Sequence, residues 1–204
     1  MTIFLIRHGE TALNVTRVLQ PADTPLSERG VAQAAALAAR LKGMDVRAIV
    51  SSDLPRALRT AQAIAAATGA PIETTPLLQE RNFGDWRGQA YDSLPADPLT
   101  MAGSPPNGES SAVFEARVAR AFAHVVDRRS AVGGHVAVVT HGLVIKAMLN
   151  AHVQVAAGIG RPDHLGNTSL SVIDAVAPHL ASLLNCTRHL DPAASDDPHA
   201  LSGG

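Results

Sequence analysis

The chain has 204 residues, 46% of them hydrophobic and 17% charged, with 17 Lys and Arg against 18 Asp and Glu and a net charge of −1. That length suits one domain, or one domain with a small insertion, and the composition can bury a core, which excludes wholesale disorder. The near balance of charge argues against a generally basic nucleic-acid surface and against a polybasic membrane anchor. No apolar run approaches the ~18 residues of a spanning helix, and the first ten residues lack a long apolar stretch, so the expected location is cytoplasmic. A single cysteine, Cys186, excludes an internal disulfide framework and any multi-cysteine metal site within one chain.

Thr2 to Ile6 is a short β-branched, apolar run stopping at Arg7, which predicts a buried first strand opening into a loop. Ser27 is placed to cap a helix with Val31, Ala34, Ala35, Ala38 and Leu41 on its inner side and Gly43 at its end. Ala48 to Val50 predicts a second strand. Pro55 suits the first turn of a helix that buries Leu58, Ala61, Ile64 and Ala65 and stops at Gly69, and a brief strand follows around Ile72. Residues 94 to 108 hold four prolines and two glycines with no period, an irregular loop excursion over the core. Ser110 or Ser111 caps a helix to about Arg129, with Val113, Phe114, Val118, Ala121, Phe122 and Val125 inward. Val136 to Thr140 is the clearest core strand, Leu143 to Ala151 a helix, and Ser169 to Asp174 a late strand. The alternation predicts an α/β fold: a three-layer sandwich with a mostly parallel sheet and helices on both faces, filling residues 1 to 190. The segment 191 to 204, with three Asp, two Pro and no apolar period, is expected to be a disordered tail.

Arg7-His8-Gly9-Glu10-Thr11 follows one predicted strand and Thr140-His141-Gly142 another, and ligands collect beyond the carboxyl ends of strands in parallel α/β sheets. Two His-Gly pairs at equivalent places thus point to one pocket. Arg7 adjoins His8, and Arg56 and Arg59 stand near the start of the helix after the second strand. Guanidinium forks suit phosphate oxygens because they bind two at once and keep their charge, although Arg59 also fits an ordinary solvated surface charge. A Gly-rich turn after the first strand is missing, which sets aside a dinucleotide-binding reading.

Five ordered blocks, LIRHGET at 5 to 11, PLSERG at 25 to 30, SSDLPRALRTA at 51 to 61, LLQERNFGDWRG at 77 to 88 and VVTHG at 138 to 142, resemble the signatures of the histidine phosphatase superfamily, in its phosphoglycerate-mutase-like branch. The resemblance implies that His8 is the nucleophile that becomes phosphorylated. Arg7 and Arg56 would clamp the phosphoryl oxygens, with Asn14 also in contact. His141 would be the second histidine of the pocket and Glu80 the acid that protonates the leaving oxygen. Thr11, through its hydroxyl, and Gly142, through its N–H, are expected to add donors, with plain turn and packing roles as the alternative. A backbone carbonyl near Gly9 is the simplest partner to orient the nucleophile. No metal and no cofactor is expected, and the expected partner is a small phosphate ester.

The sequence also departs from that family. Many relatives have Gln-Gly where this chain has Gln20-Pro21, and Trp-Glu-Gly where it has Trp86-Arg87-Gly88, a change expected to favour a more anionic substrate. The longer basic insertion that dedicated phosphoglycerate mutases share after the acid is absent here. Phosphomonoester hydrolysis is therefore the leading expectation. Mutase-type transfer is the alternative within enzymes, and a non-catalytic phospho-ligand binder the alternative outside them. The sequence leaves the substrate and the oligomeric state open.

Overall fold

The computed structural model describes residues 1–190, so the expected tail at 191 to 204 lies outside the described residues. The chain runs through β1 (Thr2–Arg7), α1 (Ala12–Val15), α2 (Glu28–Leu41), β2 (Val46–Ser52), α3 (Pro55–Thr68) and β3 (Ile72–Thr75). After a stretch of 3-10 turns it continues through α4 (Ser111–Ser130), β4 (His135–Thr140), α5 (Gly142–His152), β5 (Gln154–Val155), β6 (Leu170–Asp174) and β7 (Leu180–Cys186). One seven-stranded sheet holds the strands in the order β3-β2-β4-β1-β6-β7-β5. β1 is parallel to β4, β2 to β3 and β4, and β5 to β7, while β6 is antiparallel to β1 and β7. The sheet is thus mixed and mostly parallel.

A strand covered on both faces is apolar at every position, because alternate side chains enter opposite cores. β1 shows this directly. Ile3 and Leu5 pack with Phe114, Val118 and Phe122 of α4 and with Ile145 and Met148 of α5, whereas Phe4 and Ile6 pack with Leu37 and Leu41 of α2 and Ala61 and Ile64 of α3. Each fully buried Leu or Ile contributes roughly 1.5–3 kcal/mol. Two helical layers on one sheet make the expected three-layer sandwich.

The helix boundaries follow local chemistry. Ser27 Oγ accepts the Gly30 N–H at 3.0 Å, Pro55 opens α3, Gly69 ends it at φ 73°, and Ser110 Oγ accepts the Val113 N–H at 3.3 Å. Three predicted inner residues face outward instead: Val31, which is 43% exposed, Ala35, and Val113, which is 57% exposed. They lie beside the buried stripes, which run through Gly30, Ala34, Leu37 and Leu41 in α2 and through Phe114, Val118, Ala121 and Val125 in α4. Leu58 and Ala65 are half-buried.

The irregular excursion is fastened rather than loose. Arg81, buried, donates from its guanidinium to the carbonyls of Pro98, Met101, Gly103 and Glu109, tying residues 98 to 109 to the segment after β3. Leu94 and Met101 pack on the small core of Leu19, Phe83 and Trp86. Trp86 is therefore a packing residue.

Candidate active site

Strand register brings the two His-Gly pairs together. Arg7 is paired with Thr140 across β1 and β4, so the residues that leave the sheet next, His8 and His141, emerge side by side. Their rings stand 5.0 Å apart between centroids at 58°. Ser51 of β2 is paired with Val139, which puts Ser52 beside this edge, and its hydroxyl lies 2.9 Å from His141 Nε2.

His8 is held on all sides. Its Nδ1 lies 2.7 Å from the Gly9 carbonyl oxygen, which only accepts, so Nδ1 carries the proton and Nε2 presents the lone pair. The His8 carbonyl accepts from Asn167 Nδ2 at 3.0 Å and from the Thr168 N–H at 3.2 Å, and the Gly9 N–H donates to Thr60 Oγ1 at 3.1 Å. Burial, then the charges of Arg56 and Arg7, hold the His8 pKa well below 6.5, with the Gly9 bond acting the other way. The ring is held as the neutral imidazole. His141 is held low in the same manner, by burial first and then by Arg56.

Space behind this loop admits no side chain at two positions. A Cβ on Gly30 would stand 2.0 Å from the Glu10 carbonyl oxygen, and one on Gly9 would stand 2.5 Å from the Gly30 oxygen. The start of α2 thus presses directly on the loop that carries His8.

Arg7 and Arg56 are both buried. Arg7 donates to the Leu165 carbonyl, and Arg56 reaches the carbonyls of Pro21 at 3.3 Å and Ala22 at 3.5 Å. The hydrogen bonds of Arg56 go to neutral carbonyls, and burial, together with Arg87 and Arg7, pushes its pKa down to about 10 while Glu80 acts against that. Such a site demands an anion. Asn14 adds a donor: its Oδ1 accepts from the Thr11 N–H at 3.1 Å, and its buried Nδ2 has no partner. Thr11 itself departs from expectation. Its hydroxyl accepts the Asn14 N–H at 3.1 Å and lies 3.0 Å from Gln20 Oε1, so as the N-cap of α1 it orients Asn14 rather than reaching a ligand. Gly142 opens α5 at the pocket, where first-turn N–H groups lack helical partners.

Glu80 completes the cluster. One carboxyl oxygen accepts the Arg81 N–H at 3.0 Å and the other the Leu143 N–H at 3.1 Å, and burial raises its pKa against these bonds and against the charges of Arg56 and Arg117. Arg117 of α4 holds the backbone beneath it, donating to the carbonyls of Leu77, Gln79 and Glu80 while its ion pair with Glu109 closes at 2.7 Å. His8, Arg7, Arg56, Asn14 and Glu80 are thus all buried, and the charges of Arg7, Arg56 and Glu80 reach one another or the His8 ring.

The family model for the histidine phosphatase superfamily (branch 1) matches residues 3–183. The chain belongs to this superfamily. It is 32% identical over 213 residues to a probable phosphoglycerate mutase GpmB of Yersinia pestis, covering 97% of this chain and 98% of that protein. Among solved structures, a mycobacterial glucosyl-3-phosphoglycerate phosphatase in complex with VO3 superposes with a TM-score of 0.72 at 31% identity, over 85% of this chain and 90% of that one. A phosphoserine phosphatase from Entamoeba histolytica, in complex with phosphoserine, gives 0.72 at 27% identity over 93% and 98%.

This histidine-phosphatase-like chain also uses residues that sequence reasoning missed. Ser52, Asn167 and Arg117 position His141, the His8 backbone and the acid segment. Signals existed for two of them. Gly166-Asn167-Thr168-Ser169 is a polar run between apolar Leu165 and Leu170, and Arg117 interrupts the apolar stripe of α4. Arg59 is exposed and lies 3.5 Å from Gln62, outside the cluster. No helix among the described residues is long and apolar enough to cross a membrane.

Proposed function

We propose that the protein is a phosphomonoesterase that acts on small phosphorylated metabolites through a phosphohistidine at His8. The carrying observation is the Nδ1 bond of His8 to the Gly9 carbonyl, which leaves Nε2 as a neutral nucleophile inside a cationic, donor-rich pocket beside a buried acid. In the first step the Nε2 lone pair forms a bond to phosphorus and the bond from phosphorus to the ester oxygen breaks. Arg7, Arg56 and Asn14 hold the equatorial oxygens, and Glu80 gives its proton to the departing alkoxide. In the second step the Glu80 carboxylate takes a proton from water, whose oxygen attacks phosphorus and releases His8 and phosphate. The acid argues against a pure binding protein, which has no leaving group to protonate.

A mutase would share the first step and differ only in the acceptor, a substrate hydroxyl in place of water. The name of the Yersinia relative favours that reading. The phosphatase neighbours, together with the absence of an added segment between Glu80 and the fastened excursion, favour hydrolysis. The test is release of inorganic phosphate from a panel of phosphomonoesters, with interconversion of 2- and 3-phosphoglycerate followed in parallel. Phosphate release without interconversion is expected, and interconversion without net release would replace the hydrolase by the mutase.

A further inference from the structure

Two cations beside the phosphate pocket lack a counter-ion. Arg87, half-buried, follows the 3-10 turn at Gly84–Trp86, and Lys146, also half-buried, lies in the second turn of α5, past Gly142. Neither side chain makes a hydrogen bond or an ion pair among the described residues. The contrast with their neighbours is sharp, since Arg81 donates to four carbonyls and Arg117 to Glu109 and three carbonyls. Removing a cation from water without a partner costs free energy, which a bound anion would offset.

Backbone pairing places Arg87 against the pocket. The Gly88 N–H donates to the Leu19 carbonyl at 2.6 Å and the Leu19 N–H to the Gln89 carbonyl at 3.0 Å. The segment carrying Arg87 therefore lies along residues 18 to 20, directly before the Pro21 and Ala22 carbonyls that receive Arg56. The charge of Arg87 acts on Arg56, and Lys146, one helical turn beyond the Leu143 N–H that binds Glu80, feels the charges of Arg7 and Glu80. The opposite charges that they feel are committed or exposed. Glu109 is bound through both oxygens to Arg117, both Glu80 oxygens accept N–H groups, and Asp163 is exposed.

Charge counting gives the occupant. A dianionic phosphate matches Arg7 and Arg56, with Glu80 neutral as the acid, and leaves Arg87 and Lys146 unmatched. We propose that Arg87 and Lys146 form a second anion subsite, so that the enzyme selects phosphomonoesters carrying a further carboxylate or phosphate over otherwise equal neutral ones. A guanidinium fork and an ammonium point charge both suit such oxygens. The proposal rests on the phosphomonoesterase reading for its turnover consequence, but not for its binding consequence.

The experiment compares 3-phosphoglycerate with glycerol 3-phosphate, which differ by a carboxylate in place of a hydroxymethyl group, and fructose 1,6-bisphosphate with fructose 6-phosphate. For each pair kcat/KM is measured in the wild type and in an Arg87→Gln, Lys146→Met double variant. Calorimetric Kd values are measured with and without those changes in a His8→Ala background, where turnover plays no part. A preference of about tenfold to a hundredfold for the anionic member is expected, the equivalent of one charge-assisted hydrogen bond, collapsing toward unity in the double variant. The pair that responds tells whether carboxylate or phosphate is read. The two single variants, each expected to lose part of the preference, serve if the double variant fails to fold. No binding preference in either pair, or one untouched by both substitutions, overturns the subsite. Preferential binding of the anionic members without hydrolysis of any substrate would retain the subsite and overturn the hydrolase reading.

Discussion

Glu80→Gln separates acid catalysis from mere positioning. The carboxyl is fixed by two N–H donors, from Arg81 at 3.0 Å and Leu143 at 3.1 Å. Glutamine keeps the shape and one acceptor, but turns its NH₂ toward the other N–H. One lost bond and one opposed donor cost about 1–3 kcal/mol of stability, which at about 2–4 °C per kcal/mol for a chain of this size lowers Tm by several degrees and leaves a folded protein. The catalytic loss is of another order. Alkyl phosphates expel strongly basic alkoxides that need the proton, and a positioned general acid supplies about a hundredfold to ten-thousandfold. p-Nitrophenyl phosphate expels a stabilised phenolate and hardly needs one. Steady-state kcat/KM for an alkyl phosphate and for p-nitrophenyl phosphate is therefore expected to fall by about two to four decades in the first case and only severalfold in the second. The protonated carboxyl is the active form and burial raises its pKa, so wild-type turnover of the alkyl ester declines as pH rises through that raised value. The alkaline limb disappears in the variant. Equal losses on both esters with an unchanged pH profile would refute the role and make His141 the next candidate acid.

Activity is expected to survive EDTA, because the phosphate charge is met by guanidinium groups; a complete loss restored by Mg²⁺ or Mn²⁺ would contradict this. His8 and His141 are buried neutral with pKa values held below 6.5, so stability is complete above that pH. Below it the unfolded chain takes up protons that the folded chain refuses. Calorimetric Tm should fall on acidification from pH 7 to 5, as the unfolding free energy drops by up to about 1.4 kcal/mol per pH unit for each of these two histidines, and a flat profile would count against their buried neutral state. Gly30→Ala forces a Cβ against Glu10 backbone atoms 2.0 to 2.9 Å away, so about 1–3 kcal/mol of stability and much of the activity should be lost together. Full activity at an unchanged Tm would show that α2 does not press on the His8 loop.

The parts of the fold that could be read from sequence are those where local pattern and tertiary role coincide. β1 and β4 are unbroken apolar runs because both faces are covered, and the caps at Ser27, Pro55, Gly69 and Ser110 lie where turn chemistry placed them. β7 was not legible. Its residues, Leu180 to Cys186, include Leu and Ala but no β-branched side chain, and pairing with β6 overrides their propensity. α1 spans four residues, too few to show a period, yet it carries Asn14. The site divides the same way. His8, Arg7, Arg56, Glu80 and His141 carry side chains whose chemistry shows within recognisable blocks, whereas the partners of Ser52, which lies inside the 51 to 61 block, and of Asn167, in its polar run, are set by strand register and by contacts across as many as 159 residues.

The central claim is tested most directly by trapping the enzyme with ³²P-labelled substrate in acid-free quench and mapping the label. Label on His8, stable in alkali, lost in acid and absent from His8→Ala, is the predicted result. Label on another residue, or His8→Ala turning over at near the wild-type rate, would contradict it.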